Sequence, residues 1–297
     1  MNRLWSILFG VVMTLAVLAF VIAPAMGWWL PENIGTFYGV DTLFYVILAT
    51  TGFFFVLTEA ILVYNIFAFT DRGEKADYSH GNHRLEMFWT AVPGVLLLLL
   101  AILQIRTWEE IKYQTRMPTP DHVFEVSARQ FEWRIRYPNA IQLDRITSAW
   151  QDKSEPALAR NWQQFPHYDD VHVVNEVHTW KDANVRIYLK SKDVLHSFYL
   201  PNLRLKQDAV PGKTIPVWFR ATRANTIYNE QTREWVDRYN YEKKRFDSSL
   251  RYDLACAELC GWGHYKMLGR LFVHPDREDY LNWLKSAQEK QRQTQAQ

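Results

Sequence analysis

Three long apolar runs open the chain, and a strand-like alternation follows them. Leu4 to Leu30, Thr42 to Phe69 and Met87 to Ile105 carry a single charged residue between them, Glu59. A helix needs about 20 apolar residues to cross the hydrocarbon of a bilayer, and the second and third runs reach that length, the second with room for tilt. They predict transmembrane helices over 42–69 and 87–107. The first run, residues 1–30, is either a signal peptide or an additional transmembrane helix. Arg3 precedes an apolar stretch ending at Ala23, Pro24 and Ala25, as a cleavage region would. Trp28, Trp29 and Leu30 extend it like an interfacial belt, which favours retention.

From His122 the period shortens. His122 to Tyr137, Val171 to Trp180, Val185 to Lys190, Thr214 to Arg220 and Gly269 to His274 are rich in β-branched and aromatic residues, several alternating in period two. They predict an antiparallel sandwich or barrel over 122–275. Two polar stretches, 139–170 and 221–249, lack clear periodicity and are too long for hairpin turns, so they are expected as surface insertions. Residues 276–297 predict a C-terminal helix and tail, with Tyr280, Leu281 and Leu284 on one stripe.

Composition sharpens this division. Charged residues make up 22% of the chain and mean hydropathy is −0.26, averages that conceal two solvents in one sequence. A single soluble globule, a disordered chain and an all-membrane transporter are excluded. A net charge of +2, with no Lys/Arg run interleaved with aromatics, gives no nucleic-acid footprint. Lys and Arg are absent from Pro31 to Asp41, whereas Thr70 to Glu86 holds Arg72, Lys75 and Arg84, so the latter loop lies inside. Everything after Ile105 is then outside. The expected location is a bacterial-type inner (cytoplasmic) membrane, multi-pass, with the C-terminal domain on the periplasmic, oxidising side.

Two cysteines cannot build a disulfide framework, and no Cys-x-x-Cys-His heme attachment motif occurs. Cys256, Cys260, His264 and Met267 stand within twelve residues, and Gly261 and Gly263 let the backbone turn between them. His196, at the end of an apolar run, is brought alongside if neighbouring strands pair. All are soft or borderline ligands, which suits copper. Zinc bound by Cys2His2 would leave Met267 idle, a mononuclear blue-copper site would leave one cysteine idle, and a two-copper site with bridging thiolates uses the whole set. A Cys256–Cys260 disulfide is the remaining alternative outside the membrane.

The sequence Cys-x-Glu-x-Cys-Gly-x-x-His-x-x-Met, preceded by His196, Ser197 and Phe198, resembles the dinuclear CuA site of subunit II of the heme-copper cytochrome c oxidases. Leu205 to Lys213 resembles the family's Leu-Lys-x-Asp-Ala-x-Pro-Gly stretch, and Glu86, Trp89, Thr90 and Pro93 its Glu-x-x-Trp-Thr-x-x-Pro. The similarity runs from about Asp41 to Trp283.

The resemblance implies a membrane-anchored α + all-β protein: two or three N-terminal transmembrane helices, then a cupredoxin-like Greek-key β-barrel with a short C-terminal helix. It implies copper held by His196, Cys256, Cys260, His264, Met267 and the backbone carbonyl of Glu258, with the Glu258 carboxylate helping to hold Mg2+ shared with subunit I. The implied activity is electron relay within an oxidoreductase. Cytochrome c, or another c-type cytochrome or cupredoxin donor, reduces the copper, and heme-containing subunit I receives the electron, reduces dioxygen and pumps protons, alongside other oxidase subunits. No residue of this chain is expected to catalyse oxygen reduction.

The matching position implies proton uptake at Glu86. The family's aromatic patch for electron uptake appears as Gln130, Phe131, Glu132 and Trp133, with phenylalanine in place of the first tryptophan, and Tyr265 and Trp262 lie near the ligands. The stretch between His196 and Cys256 is longer than in commonly known members, with 221–249 as the apparent insertion. A copper-delivery protein and a CuA-bearing nitric oxide reductase subunit are the competing classes.

Overall fold

The computed structural model describes residues 2–69, 73, 75, 78, 80–151, 161–229, 234–237, 239–240, 245–246 and 250–295. Arg72 and parts of the two predicted insertions lie outside them. The chain divides into two compact units, Met1–Leu30 with Gly39–Trp108, and Pro31–Tyr38 with Glu109–Gln297.

The first unit is built from α1 (Asn2–Ile22), α2 (Tyr38–Ala68) and the apolar part of α3 (His83–Lys112), all three long and apolar enough to span a membrane. α1 stops one residue short of Ala23 and Pro24, where the pre-proline position resists helical geometry. Its N-terminal turn rests on the C-terminal part of α2: the Ser6 hydroxyl donates to the Val63 carbonyl at 2.8 Å, and the Arg3 guanidinium lies over the Phe67 ring. α3 begins four residues before the predicted span, because the Asn82 side chain accepts from the amides of Arg84 and Leu85 and caps the first turn. Glu59 lines a cavity of about 390 Å³ between α1 and α2 with Gly10, Met13 and Thr14. Its Oε2 is buried with no hydrogen-bond partner among the described residues.

The second unit is a sandwich of two five-stranded sheets. The strands are β1 (His122–Arg129), β2 (Glu132–Tyr137), β3 (Val171–Val174), β4 (Glu176–Trp180), β5 (Asn184–Ser191), β6 (His196–Leu200), β7 (Leu205–Ala209), β8 (Ile215–Arg220), β9 (Thr226–Asn229), β10 (Glu234–Asp237), the two-residue strands β11 (Tyr239–Asn240) and β12 (Arg245–Phe246), β13 (Tyr252–Cys256) and β14 (Leu268–His274). One sheet runs β3-β2-β1-β5-β8 and the other β4-β14-β13-β6-β7. The pairs β1–β5 and β4–β14 are parallel and the remaining neighbours antiparallel, a crossed-over arrangement in keeping with the cupredoxin-like barrel expected.

The run Val171 to Trp180, which reads as one strand, is split at Asn175, whose φ of 62° turns the chain from the first sheet into the second. Asparagine tolerates that left-handed geometry better than other non-glycine residues. Its side-chain oxygen accepts from the Trp133 amide at 2.8 Å and its own amide donates to the Trp133 carbonyl at 2.8 Å, so the corner is fastened to β2.

Residues 139–170 are more ordered than a surface excursion. Ala140–Gln151 is a helix, α4, and buries Leu143 and Ile146. Ile146 and Trp162 pack with Val123 and Tyr188, which is why β1 is buried on both faces and does not alternate. Arg136 threads into the same region. Its guanidinium donates to Glu125 at 2.9 Å and Asp170 at 2.7 Å and lies over the Trp162 ring, all of them buried. In the second insertion β9 and β10 form a hairpin and β11 pairs with β12.

The C-terminal helix, α5 (Arg277–Gln295), starts at Asp276, whose side chain accepts from the Asp279 amide. It buries Tyr280, Trp283 and Leu284; Trp283 takes the place expected of Leu281. Beneath it lie three buried histidines, His122, His178 and His274.

The segment Pro31–Tyr38 belongs to this unit too. The Ile34 amide donates to the Asn202 carbonyl and its carbonyl accepts from Thr222, both at 2.8 Å, while Phe37 packs edge-on against Trp218. The loop without Lys or Arg is therefore on the same side of the membrane as the β-domain, as the charge count requires.

Candidate metal centre

Three chain segments meet at one end of the sandwich. β6 begins with His196 and pairs with β13, which ends in Cys256; the register sets Cys256 opposite Phe198. The loop 257–267 returns to β14, closed by a hydrogen bond from the Cys256 amide to the Met267 carbonyl at 3.1 Å. A short 3-10 turn, His264–Lys266, aims His264 back at the cysteines. The third segment is the β1–β2 turn, where Phe131 lies across the loop. A Cβ on Gly263 would meet the Phe131 ring at 2.4 Å, so only glycine fits under it.

The side chains converge on the two cysteines. The two thiols are unbonded, with Sγ atoms 3.9 Å apart. His196 Nδ1 is 3.8 Å from Cys256 Sγ, His264 Nδ1 is 3.5 Å from Cys260 Sγ, and Met267 Sδ is 3.9 Å from Cys260 Sγ. The Glu258 carbonyl lies 3.3 Å from Cys256 Sγ, while the residue itself is exposed. His196, Cys260 and Met267 are buried, and His264 is partly exposed. Ligand atoms of His196, Cys256 and Cys260 all fall within 4.8 Å of one another.

The cluster is electrostatically poised. Burial works against the Cys256 thiolate, but hydrogen bonds from His196 and the backbone outweigh it and bring the pKa to about 6. Burial and the neighbouring Cys256 push the Cys260 thiol up to about 11. Burial opposes the charged form of His196, and Cys256 and Asp193 more than offset it, raising its pKa. A cation bound by this donor set would displace the protons its ligand atoms still carry.

Asp193 is the site residue that sequence reasoning missed. Its carboxylate accepts from His196 Nε2 at 2.8 Å, leaving Nδ1 to face the thiols, and from the Gln130 amide at 2.7 Å. Gln130 Nε2 in turn donates to the Cys260 carbonyl. A carboxylate on the second nitrogen of a ligating histidine is the usual device for fixing its tautomer and ring orientation. The available signal was a carboxylate three residues before His196.

Of the residues expected to take up electrons, Trp133 is not at the surface. β2 turns it inward, fully buried, with its ring edge-on to His196 and Phe198. Phe131 is half-buried against Trp262, ring centroids 5.2 Å apart. Glu86 belongs to the other unit, exposed in the first turn of α3 with His83 Nδ1 3.9 Å away.

Residues 123–240 match the model of the cytochrome c oxidase subunit II periplasmic domain, and residues 35–106 match that of the transmembrane domain of the same subunit. The chain belongs to the cytochrome c oxidase subunit II family. The ligand loop itself follows the matched part of the periplasmic domain, so its geometry is an independent observation. An alternative cytochrome c oxidase subunit 2 from Bradyrhizobium diazoefficiens is 28% identical over 261 residues, covering 86% of this chain and 83% of its own. Cytochrome c oxidase subunit 2 of Thermostichus vulcanus is 26% identical, covering 96% of this chain and 85% of its own. Among solved structures, the periplasmic domain of cytochrome oxidase subunit II from Bradyrhizobium japonicum covers 59% of this chain and 98% of its own at 18% identity, with a TM-score of 0.38. Subunit II of this family is part of an oxidoreductase, the heme-copper oxidase, and the protein is a membrane protein with its β-domain on the outer side.

Proposed function

We propose that the chain is the electron-transfer subunit of a heme-copper terminal oxidase, taking electrons from a c-type cytochrome or cupredoxin at a dinuclear copper centre and passing them to the heme of subunit I. The observation that carries this reading is the set of donors that gathers on the two thiols. Cys256 and Cys260 Sγ lie 3.9 Å apart, with His196 Nδ1 3.8 Å from Cys256, His264 Nδ1 3.5 Å from Cys260 and in reach of Cys256 as well, and Met267 Sδ 3.9 Å from Cys260. One four-coordinate zinc would be filled by two thiolates and two imidazoles and would leave Met267 idle. Cys256, Cys260, His196 and His264 would together hold two coppers, with Met267 and the Glu258 carbonyl completing the donor set.

Two coppers held by these residues would share one electron between them, with little geometric change on reduction. The protein's part is rigidity. Asp193 fixes His196, Gln130 ties the β1–β2 turn to the ligand loop, and burial of Cys260 and Met267 keeps water away. Glu258 faces two ways, with its carbonyl toward Cys256 and its carboxylate in solvent, which fits Mg2+ shared with subunit I. Glu86, exposed at the start of α3 on the inner side, fits proton uptake into subunit I.

Purification of the complex containing this chain tests the reading through its hemes and gas substrate. Cytochrome c-driven consumption of dioxygen with proton release supports it. A complex that reduces nitric oxide and leaves dioxygen untouched moves the chain to the reductase class, and copper without any heme partner leaves a copper-delivery protein.

A further inference from the structure

Phe131 occupies the place where a surface indole is expected, yet it is half-buried, and Trp133 is 0% exposed. Trp262 is 80% exposed, whereas Trp133, Trp162, Trp180, Trp218 and Trp283 of the same domain are buried. It stands two residues from both Cys260 and His264, with Phe131 packed against it and filling the space over Gly261 and Gly263. Electron tunnelling weakens steeply with distance, so a ring joined to two metal ligands by so short a length of chain is well coupled to the site.

The surroundings of Trp262 are those of a contact surface. Leu259 and Tyr265 are exposed in the same loop and Leu268 at its end, and exposed apolar side chains gathered in one short segment suit an interaction site. Tryptophan and tyrosine anchor such contacts most often. Over 258–268 the only acid is Glu258 and the only lysine or arginine is Lys266, whose ammonium lies 5.8 Å from the Trp262 ring centroid and 5.5 Å from that of Tyr265. The patch is neutral in sum, suited to an apolar rim around an exposed cofactor edge rather than to a strongly charged face.

We propose that Trp262 is the side chain on which a small one-electron redox protein docks by its apolar rim, and through which the electron enters. The inference rests on the proposed relay function. In the step, the donor loses one electron and is oxidised, and the copper held by this chain gains it and is reduced. No bond forms or breaks and no proton moves.

The test uses the intact oxidase complex with a soluble c-type cytochrome carrying a ruthenium photosensitiser as probe. Trp262→Ala and Trp262→Phe are compared with the parent for the rate of copper reduction after a flash, for affinity toward the zinc-substituted cytochrome, and for the copper EPR signal. The expected result is a second-order rate and an affinity both lower by about 30-fold in Trp262→Ala, the scale of losing one central aromatic contact. Trp262→Phe falls between, the EPR signal stays as in the parent, and reduction by dithionite is unchanged. Raising salt through the physiological range slows the parent only a few-fold. Equal cytochrome-driven rates in parent and Trp262→Ala overturn the role of Trp262 and leave the relay function standing, and so does equal slowing toward dithionite, which marks a disturbed metal site. A parent whose EPR shows no electron shared over two coppers overturns the relay function and this inference together.

Discussion

Mild acid should loosen the β-domain through the histidines beneath α5. His122 donates and accepts between the Thr179 hydroxyl at 3.1 Å and the Tyr280 hydroxyl at 2.8 Å. His178 is sandwiched between Trp283 and Phe272, ring centroids 3.7 and 4.5 Å away, with its Nδ1 3.1 Å from His274 Nε2 and Glu176 near its Nε2. Burial holds all three well below the ordinary histidine value of 6.5; His274, Arg277 and His178 lower His122 further, and His178 lowers His274 further. Because these bases have depressed folded-state values, the unfolded chain binds their protons first as pH falls. Their contribution is complete above pH 6.5 and is lost progressively below it.

Each neutral histidine then costs about 1.4 kcal/mol per pH unit, so one unit below 6.5 the three together remove about 4 kcal/mol of an ordinary domain stability of about 5–15 kcal/mol. Carboxylates with lowered values, such as Glu125, act in the same direction only near their own range, below about pH 4.5. His196, whose value is raised, acts oppositely, and copper loading removes it from titration. Urea unfolding of the β-domain in the copper-loaded full chain, followed by tryptophan fluorescence at pH 7.5, 6.5 and 5.5, measures the slope. His178→Phe keeps the stack and removes one titrating ring, so it should reduce the slope by about a third. Stability unchanged between pH 7.5 and 5.5, or a slope indifferent to His178→Phe, refutes the reasoning.

Asp193→Asn weakens the acceptor that orients His196 and should lower copper affinity by about 10–100-fold, read by competition with a chelator, with the fold intact by circular dichroism. Arg136→Met leaves Asp170 buried without its cation and Glu125 with Lys190 alone, and should cost about 3–5 kcal/mol in urea unfolding; a loss under 1 kcal/mol would show that solvent reaches the cluster. Glu86→Gln keeps shape while removing charge and should slow steady-state turnover of the complex without altering the rate of copper reduction. Equal turnover would reduce Glu86 to a residue that favours the positive end of α3.

The parts legible in the sequence are those whose signal is local. The spans of α2 and α3 follow from uninterrupted apolar length, and the ligand loop from donor types at fixed spacing over twelve residues. α4 escaped because its buried positions, Leu143 and Ile146, are sparse among polar neighbours and gain their partners, Val123 and Trp162, only in the fold. The burial of Trp133 escaped for a related reason: the β1–β2 turn at Gln130 and Phe131 decides which side of the sheet each aromatic takes, and nearby residues do not encode it. The histidines at 122, 178 and 274 look unrelated along the chain. They meet because β4 lies parallel to β14 and α5 closes over them. Ile34 and Phe37 are apolar residues in a short connection, and nothing local reveals that they dock on the β-domain.

Under the proposed function, Cys256 and Cys260 would hold two coppers between them. Copper-to-protein stoichiometry and EPR of the full chain, parent against Cys260→Ser, test it most directly. The parent should hold two coppers per chain, with hyperfine structure from one electron shared over both nuclei, and Cys260→Ser should lose that shared signal. One copper per chain, or a parent signal confined to a single nucleus, would contradict the account.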